Sequence, residues 1–376
     1  MDPVISSFSE PCFEEFISHI NDPRVQGRCL HRLSDVMVIG FCAVLCGAEG
    51  FTEIEEWALV KEDWLREFLE LPNGIPSHDT FLRVFSLVDP REFEAAFMGW
   101  AQSVAQRRHE HISLDGKSVA YANDQGRQNF PVHLVNVYAH DAGVFLGQLK
   151  ALNPGAGEVA AVKDCLDFFD LKGCLISVDA GNTYPSVARN ILEKGADYLF
   201  PIKGNQKQLR EDIKQEFRER VESAGSVQSL EENHSRIDRR SARVLMFRSS
   251  EHLPKVKSII EITREREQKV RRRQEEKPCI VNTHYYASSR RLSAINALFL
   301  VQQHWKIENS LHWVLDVAML EDQCRVRAMI AAENLSLIRK LATNIVKKDT
   351  TPRRSVRRKL KMAAWDQAYL ENLLFS

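Results

Sequence analysis

The sequence lacks an apolar run long enough to cross a bilayer. Its longest such run, from Val36 to Ala48, spans about 13 residues, whereas a transmembrane helix needs about 20. The N-terminal segment MDPVISSFSEPCFEEF carries acidic residues and lacks the basic-then-apolar order of a signal peptide. Both absences predict a cytoplasmic protein with no membrane partner.

Cysteine pairs with metal-binding spacing are also absent. None of the eight cysteines lies in a Cys-x-x-Cys arrangement, and the closest pairs, Cys42/Cys46 and Cys165/Cys174, lie among apolar neighbours. This usage is typical of reduced, buried thiols and not of a zinc site or of disulfides. No internal repeat or low-complexity tract appears, so we expect an ordinary globular protein.

The chain has no net charge, because 51 Lys and Arg residues balance 51 Asp and Glu residues. This balance hides a gradient along the sequence. Residues 1–100 contain 7 basic and 18 acidic residues, whereas residues 323–362 contain 12 basic and 2 acidic residues. The basic segment indicates either contact with a polyanion or a solvated basic helix with a disordered tail.

Apolar periodicity predicts an all-helical domain over residues 1–108, with helices at about 30–48, 54–69, 80–88 and 93–104. Ser77 or Asp79 is placed to cap the third helix. From His111 the pattern changes to short β-rich runs that alternate with helical stretches. The predicted strands cover 111–116, 131–140, 143–152, 174–180 and 197–202, and the predicted helices cover 158–169, 184–194 and 206–217.

This order of elements predicts an α/β fold, with a mixed sheet flanked by helices and its chemistry beyond the C-terminal strand ends. A β-rich insertion is predicted over about 225–290, interrupted by the charged run 264–277, and a long helical region follows from 293 to about 348. We therefore predict a helical domain at 1–108, a catalytic domain at 109–348 and a basic C-terminal tail at 349–376.

Two aspartates are predicted to face one edge of this sheet. Asp115 ends the first predicted strand, in LDGK, and Asp179 ends a later strand, in SVDAG. Burying a strand-end carboxylate costs several kcal/mol unless a cation or hydrogen bonds compensate, so two such acids suggest a shared metal. Each aspartate alone is also typical of an Asx turn after a strand.

Glu308 lies in the apolar, aromatic segment HWKIENSLHWVLDV, where an unpaired buried carboxylate is poorly tolerated. His304, Glu308 and His312 recur at a spacing of four, so we expect one shared helix face, with Asn309 beside it. Glu308 is then a third metal ligand, and the histidines line the substrate path. The alternatives are a zinc site of His304, Glu308 and His312, or a buried polar cluster bonded to neighbouring helices.

Three carboxylates can hold two hard cations about 3.5 to 4 Å apart, which activate a nucleophile and stabilise a leaving oxygen in phosphoryl displacement. Carboxylate ligands suit Mg²⁺, with Mn²⁺ as a substitute. Basic and polar residues near the acids, together with the basic C-terminal segment, favour contact with the DNA backbone. The predicted DNA contacts are Lys117, Lys203, Asn205, His304, Asn309, His312, Arg325 and Arg327.

A string of motifs over roughly residues 20–347 resembles the insertion-sequence transposases of the ISAs type, which include the H-repeat-associated proteins. The motifs, in order, are DPRVQGRCLHRLSDVMVIGFCAVLCGAEGF, LPNGIPSHDTFLRVF, LDGKS, HLVNVY, LGQLK, LKGCLISVDA, GADYLFPIKGNQ, YYASS and HWKIENSLHWVLDVAMLEDQCRVRA. The resemblance implies a ribonuclease H-like fold, with catalytic acids at Asp115, Asp179 and Glu308. It also implies a homodimer acting on paired DNA ends and nucleoid association when DNA is bound.

The sequence departs from the family pattern beside the second aspartate and in two other places. Relatives usually follow that aspartate with Ala-Met-Gly, whereas this chain has AGNTY at 180–184. Asn153 to Gly157 replaces a Lys-Ser-Asn-Glu segment, and Gln302 stands where a basic residue is common.

The expected reaction is hydrolysis at the element's terminal inverted repeats, followed by attack of the freed 3′-hydroxyl on target DNA. The alternatives are a domesticated or decayed copy that binds DNA without cutting it, and a ribonuclease H-like nuclease that does not join strands.

Overall fold

The computed structural model describes residues 17, 19–25, 27–105, 111–119, 132–151, 156–233, 236–247, 250–268, 280–350 and 353–375. The helices are α1 (Leu33–Leu45), α2 (Phe51–Val60), α3 (Glu62–Leu65), α4 (His78–Leu87), α5 (Pro90–Ala105), α6 (Ala156–Asp167), α7 (Pro185–Glu193), α8 (Lys207–Glu219), α9 (Ala294–Ile307), α10 (Trp313–Val317), α11 (Met329–Lys348), α12 (Val356–Trp365) and α13 (Gln367–Phe375). The strands are β1 (His111–Val119), β2 (Val132–Ala139), β3 (Val144–Ala151), β4 (Leu175–Val178), β5 (Asp197–Ile202), β6 (Gly225–Asn233), β7 (Arg236–Met246), β8 (Ser258–Gln268) and β9 (Ile280–Ser288).

The strands form one mixed sheet in the order β3-β2-β1-β4-β5-β9-β8-β7-β6. β1, β4 and β5 run parallel, whereas β2 and β3 form an antiparallel pair and β9, β8, β7 and β6 add antiparallel strands beyond β5. The α/β class, the helical N-terminal region and the β-rich insertion are therefore confirmed. None of the described helices is both long and apolar enough to cross a membrane.

The chain divides into two compact units. The first, called the helical unit, comprises Met1–Arg107, Gly116–Pro154 and Glu308–Ser376, and the second, called the sheet unit, comprises Arg108–Asp115 and Gly155–Ile307. Strand β1 contributes residues to both units. Of the three divisions inside residues 109–348, one falls directly after Asp115 and another directly before Glu308.

Helix α11 forms the centre of the helical unit and is buried along most of its length. It packs against α1, α4, α5, α10, α12, α13 and β3. Helix α1 supplies an apolar face from Val36 to Leu45 that is almost fully buried. The predicted cap of α4 is Ser77, whose side chain accepts a hydrogen bond from the backbone N–H of Thr80.

The core of the sheet unit lies between α9 and the strands of the insertion. Leu298 and Val301 of α9 pack in one buried cluster with apolar side chains of β7, β8 and β9, such as Val244, Ile260 and Tyr286. Ala242 and Val244 of β7, and Ile260 and Ile262 of β8, belong to this cluster and are two residues apart, so each pair lies on one face of its strand.

The charged run predicted to interrupt the insertion begins inside β8. Arg264 and Arg266 each lie 3.1 Å from Asp238 of β7, a fully buried carboxylate. These cross-strand ion pairs explain why charged residues continue the strand as far as Gln268. Residues 269–277 of the predicted run lie outside the described residues.

Three predictions about the secondary structure are corrected. β1 continues to Val119 and does not end at Asp115, since β2 pairs with it on the side away from β4. The long helical region predicted from 293 to about 348 is interrupted after α10, where Leu320 has a left-handed backbone with φ of 50°. The segment 349–376, predicted as a basic tail, forms helices α12 and α13.

Several basic residues of the segment 323–362 are buried. Arg339, Lys340 and Lys359 are 1%, 0% and 5% exposed. Arg339 Nη2 donates to Glu49 O at 2.7 Å, and Lys340 Nζ donates to Gln148 Oε1. Neither predicted role of the basic segment, contact with a polyanion or solvation, applies to these three residues, because they are buried and bind groups of the protein itself.

Candidate active site

Asp115 and Asp179 occupy neighbouring positions on adjacent parallel strands. The paired register of β1 and β4 ends with Leu114 opposite Val178, and each aspartate is the next residue of its strand path. Both side chains are half-buried. The sheet topology thus brings two acids that are 64 positions apart in sequence to one edge of the sheet unit, as the strand pattern predicted.

The turn after β4 orients the Asp179 carboxylate. Asp179 caps the 3₁₀ turn Ala180–Asn182, and its Oδ1 accepts hydrogen bonds from Asn182 N at 3.1 Å and Asn182 Nδ2 at 2.8 Å. Among the described residues, none donates a hydrogen bond to Asp179 Oδ2. One carboxylate oxygen is therefore held by the turn, so the structure shows the Asx-turn role of Asp179.

The segment that departs from the family pattern supplies this orientation. Asn182 and Thr183 are fully buried, and Thr183 Oγ1 lies 3.2 Å from Pro201 O. Asn205 Nδ2 donates to Ala180 O at 2.7 Å, so this predicted DNA contact holds the turn from the β5 side. Asn182 was not singled out from the sequence, although its place beside the second acid was a usable signal.

The two aspartates have the chemistry that a hard divalent cation requires, because both offer carboxylate oxygens at one strand edge. Across the described parts of the chain, no three His, Cys, Asp or Glu side chains form a group that could hold a metal ion. The described residues therefore show neither the predicted triad of Asp115, Asp179 and Glu308 nor the alternative zinc site as an assembled cluster.

Glu308 begins a π-helical segment, Glu308–His312, directly after α9. Its side chain is exposed, so the expectation of a buried carboxylate in an apolar helix is wrong. A π segment adds residues to the helical turn and shifts the phase of the residues after it, so His304, Glu308 and His312 do not continue along one straight α-helical face. Such segments are frequent at functional sites.

His304 is buried in the sheet unit and bonded to two serines. Its Nδ1 lies 2.9 Å from Ser177 Oγ and 3.3 Å from Ser113 Oγ. Burial, with a smaller contribution from the charge of Lys203, lowers the pKa of His304 to about 4. A neutral imidazole held in this way is a structural group and not the predicted DNA contact, because its exposed fraction is only 7%.

His312 is half-buried in the helical unit. Asn136 Nδ2 lies 3.4 Å from its Nε2. Burial, followed by the nearby charges of Lys117 and Lys340, lowers the pKa of His312 to about 4. The side chain of Asn309, another predicted contact, lies outside the described residues.

Lys117 is held by acids of the helical unit. Its Nζ lies 2.6 Å from Asp316, 3.1 Å from Asp322 and 3.6 Å from Glu321, and it is 9% exposed. A phosphate would have to displace these carboxylates. Lys117 is therefore not free to make the predicted contact with the DNA backbone. Its partners are distant in sequence, which is why its spacing from Asp115 misled the prediction.

Three of the predicted cationic DNA contacts are accessible. Lys203 is exposed, with its Nζ 5.8 Å from the centre of the Trp305 ring. Arg325 and Arg327 are exposed and form no ion pair or hydrogen bond with any described residue. Cations of this kind are free to bind phosphate oxygens.

Comparison with protein-family models gives two adjacent matches. Residues 14–101 match the DDE_Tnp_1-associated model, and residues 106–345 match the transposase DDE domain. The chain is 35% identical over 374 residues to a putative transposase YncI of Escherichia coli O157:H7, covering 96% of this chain and 94% of that protein. It is 31% identical over 375 residues to the H repeat-associated putative transposase YhhI of Escherichia coli K12, covering 96% and 97%.

Among solved structures, a piggyBac transposase synaptic complex with hairpin DNA matches with a TM-score of 0.45 and 10% identity, covering 100% of this chain and 80% of that one. The domain match covers more than half of the chain, and the relatives align over nearly their full length. Members of this family act on DNA and generally use a divalent metal. The chain therefore belongs to the transposase DDE domain family, and it is an insertion-sequence transposase of the H-repeat-associated group.

Proposed function

We propose that this transposase cleaves the ends of its insertion sequence and joins the freed 3′-hydroxyl to target DNA, with Asp115, Asp179 and Glu308 as metal ligands. The observation that carries the proposal is the register of β1 and β4, in which both aspartates directly follow the last paired residues. Carboxylates placed together at a strand edge repel one another unless a cation lies between them.

The three acids would hold Mg²⁺, or Mn²⁺ in its place, as two ions in each site. The ions would supply activation of the attacking oxygen and stabilisation of the leaving oxygen. The chain's own part is orientation, since Asn182 holds Asp179 Oδ1 and leaves Oδ2 to the ligand side. Glu308 contributes an exposed carboxylate at the first residue of the π segment.

The DNA partner would be bound mainly through its phosphates. Lys203, Arg325 and Arg327 are accessible cations, and they are suited to positioning the duplex without reading bases. We further propose that residues 1–108 assist binding of the terminal repeats or assembly of a homodimer on paired ends, and that residues 109–348 carry the chemistry.

The test replaces each acid by its uncharged analogue, in Asp115→Asn, Asp179→Asn and Glu308→Gln. Each change keeps the side-chain shape and removes one negative charge, so each is expected to abolish cleavage and strand transfer while end binding persists. Asp164→Asn, at an exposed position of α6, is the matched control. Mn²⁺ should replace Mg²⁺, whereas Ca²⁺ should support binding with little turnover.

Wild-type cleavage by any of the three variants in Mg²⁺ would overturn the ligand assignment. Failure of the unmutated protein to cut DNA that carries its own terminal repeats would instead favour a decayed copy. Cleavage without joined products would favour a nuclease.

A further inference from the structure

Four buried polar side chains meet between β1, β4 and α9 of the sheet unit. His111 Nε2 lies 2.8 Å from Ser177 Oγ, and Ser113 Oγ lies 2.8 Å from Ser177 Oγ. His304 Nδ1 completes the group through the same two hydroxyls. We call His111, Ser113, Ser177 and His304 the Ser–His cluster; none of them is more than 7% exposed.

The cluster is unusual for its place in the fold. Ser113 and Ser177 are directly opposite in the register of two buried parallel strands whose neighbouring residues are apolar, namely Ile112, Leu114, Ile176 and Val178. Strands of this kind normally read as continuous apolar runs. Apolar side chains would fill the space as well, so the hydroxyls contribute something that packing alone does not.

The hydroxyls contribute a fixed orientation of α9. Apolar contacts tolerate sliding and rotation of a helix, whereas hydrogen bonds to Ser113 and Ser177 require the His304 ring at one height and one angle. A slip of α9 by one residue would move it by about 1.5 Å and turn it by about 100°. The cluster therefore fixes the axial position and rotation of α9 on the β1–β4 pair.

Each proposed metal ligand follows a member of this cluster by one structural repeat. Residues two apart lie on the same face of a strand, and residues four apart lie on the same side of an α-helix. The pairs are Ser113 with Asp115, Ser177 with Asp179, and His304 with Glu308. The last pair runs from α9 to the first residue of the π segment, at the α-helical spacing of four.

We propose that Ser113, Ser177 and His304 are positioning residues for the metal ligands, and that they fix where the chain leaves α9 and presents Glu308. The inference rests on the proposed function of the three acids. It concerns alignment and not proton transfer, since the cluster lies one repeat behind the carboxylates in each element.

The test compares two substitutions of similar volume at His304. His304→Asn keeps a polar atom near the position of Nδ1, whereas His304→Leu removes hydrogen bonding and keeps the bulk. Loss of groups that orient metal ligands typically costs about 10- to 100-fold in metal affinity or activity. We expect His304→Leu to weaken Mn²⁺ binding to the free protein by that factor, measured by electron paramagnetic resonance, and His304→Asn to restore most of it.

A second comparison covers the case in which His304→Leu fails to fold. The double variant Ser113→Ala/Ser177→Ala removes both hydroxyls without adding bulk. Its control is Ser289→Ala, a fully buried serine of the same unit that bonds to Tyr198 N and Asp197 Oδ1. Both variants should lose some stability, but only the double variant should show the reduced Mn²⁺ affinity and a raised Mg²⁺ midpoint for cleavage.

Equal Mn²⁺ affinity and cleavage in the double variant and Ser289→Ala would overturn the positioning role. The proposed function would still stand in that case, provided that Asp115→Asn, Asp179→Asn and Glu308→Gln each lose Mn²⁺ binding. Retention of Mn²⁺ binding by those three variants would reject the proposed function itself.

Discussion

In the helical unit, charged side chains enter the core, whereas the Ser–His cluster of the sheet unit buries only serine hydroxyls and histidine rings. Arg339 and Lys340 of α11 are almost fully buried, and Lys117 lies among three carboxylates. Burial raises the pKa of the Glu94 carboxyl and lowers the pKa of Lys340 to about 8, so the low-polarity surroundings act on both signs of charge.

The charged network of the helical unit and the Ser–His cluster are expected to respond differently to substitutions. Removal of one partner from a buried ion pair leaves an uncompensated charge and costs about 3–5 kcal/mol. Replacing both partners of a neutral hydrogen bond by apolar groups of similar shape can be nearly neutral for stability. The charged network is therefore expected to control whether the helical unit folds, and the Ser–His cluster to control alignment.

The largest expected effect is on folding, in Lys117→Met. The substitution leaves Asp316, Glu321 and Asp322 without their shared cation, so the free energy of unfolding should fall by about 3–5 kcal/mol. Lys203→Met is the matched control, because Lys203 is exposed and its loss should change stability by about 0.5 kcal/mol or less. Denaturant unfolding measures both.

DNA binding by the same two variants separates a structural lysine from a phosphate contact. Lys203→Met should weaken binding and reduce its salt dependence, whereas folded Lys117→Met should retain both. A reduced salt dependence in Lys117→Met without loss of stability would show that Lys117 is a phosphate contact after all.

A smaller effect is expected from acid. His304 has a folded pKa of about 4, against about 6.5 when unfolded. Between these values the unfolded chain holds a proton that the folded chain does not, so stability is lost as the pH falls through that window. At pH 5 this amounts to about 2 kcal/mol from His304 alone.

The measurement is the change in unfolding free energy from pH 7 to pH 5, compared between the unmutated protein and His304→Asn. The variant should lose about 2 kcal/mol less over this range. His312→Asn should show the same direction in the helical unit, since the pKa of His312 is also lowered to about 4. Parallel pH curves for all three proteins would contradict the neutral, buried state of these imidazoles.

The smallest expected effect on stability comes from the exposed arginines of the C-terminal segment. Arg353, Arg354, Arg357 and Arg358 are exposed, unlike buried Lys359 on the same helix. Their joint replacement by Ala should change stability little, because arginines in the first turn of α12 oppose the helix dipole by only about 0.3–1 kcal/mol. It should nevertheless lower the log-log salt slope of DNA binding by about 0.9 per lost phosphate contact.

Arg218→Ala, at an exposed position of α8, serves as the control for that slope. An unchanged slope in the quadruple variant would show that α12 faces solvent and not DNA.

Local pattern was sufficient to predict most elements of the fold. β5 was predicted with its observed bounds of 197–202, and α4 was predicted from its apolar period and Ser77 cap. β6 lies within the insertion predicted over about 225–290, but no separate strand was predicted for GSVQSLEEN, which lacks apolar alternation; it pairs with β7 along its whole length. The sequence carries local preferences, and such tertiary pairing overrides them.

The site was predicted in part for the same reason. Asp115 and Asp179 were placed side by side because each follows an apolar run and the two runs were predicted to lead to one edge of the sheet. The roles of Lys117 and His304 depend on partners about 130 to 200 positions away, which spacing does not reveal. A lysine close in sequence to a predicted catalytic acid suggests a phosphate contact. The sequence does not show whether distant carboxylates bind that lysine instead.

The burial of α11 by the N-terminal helices also sets the order of events during synthesis. Helices α1, α4 and α5 pack against α11, which ends at Lys348, roughly 240 residues after α5 is complete. At a translation rate of about 5–20 residues per second, about 12–50 s pass between synthesis of these N-terminal helices and synthesis of α11. Throughout that interval the nascent chain exposes the face of α1 that later packs against α11. A chain truncated before residue 329 lacks α11 and exposes that face permanently.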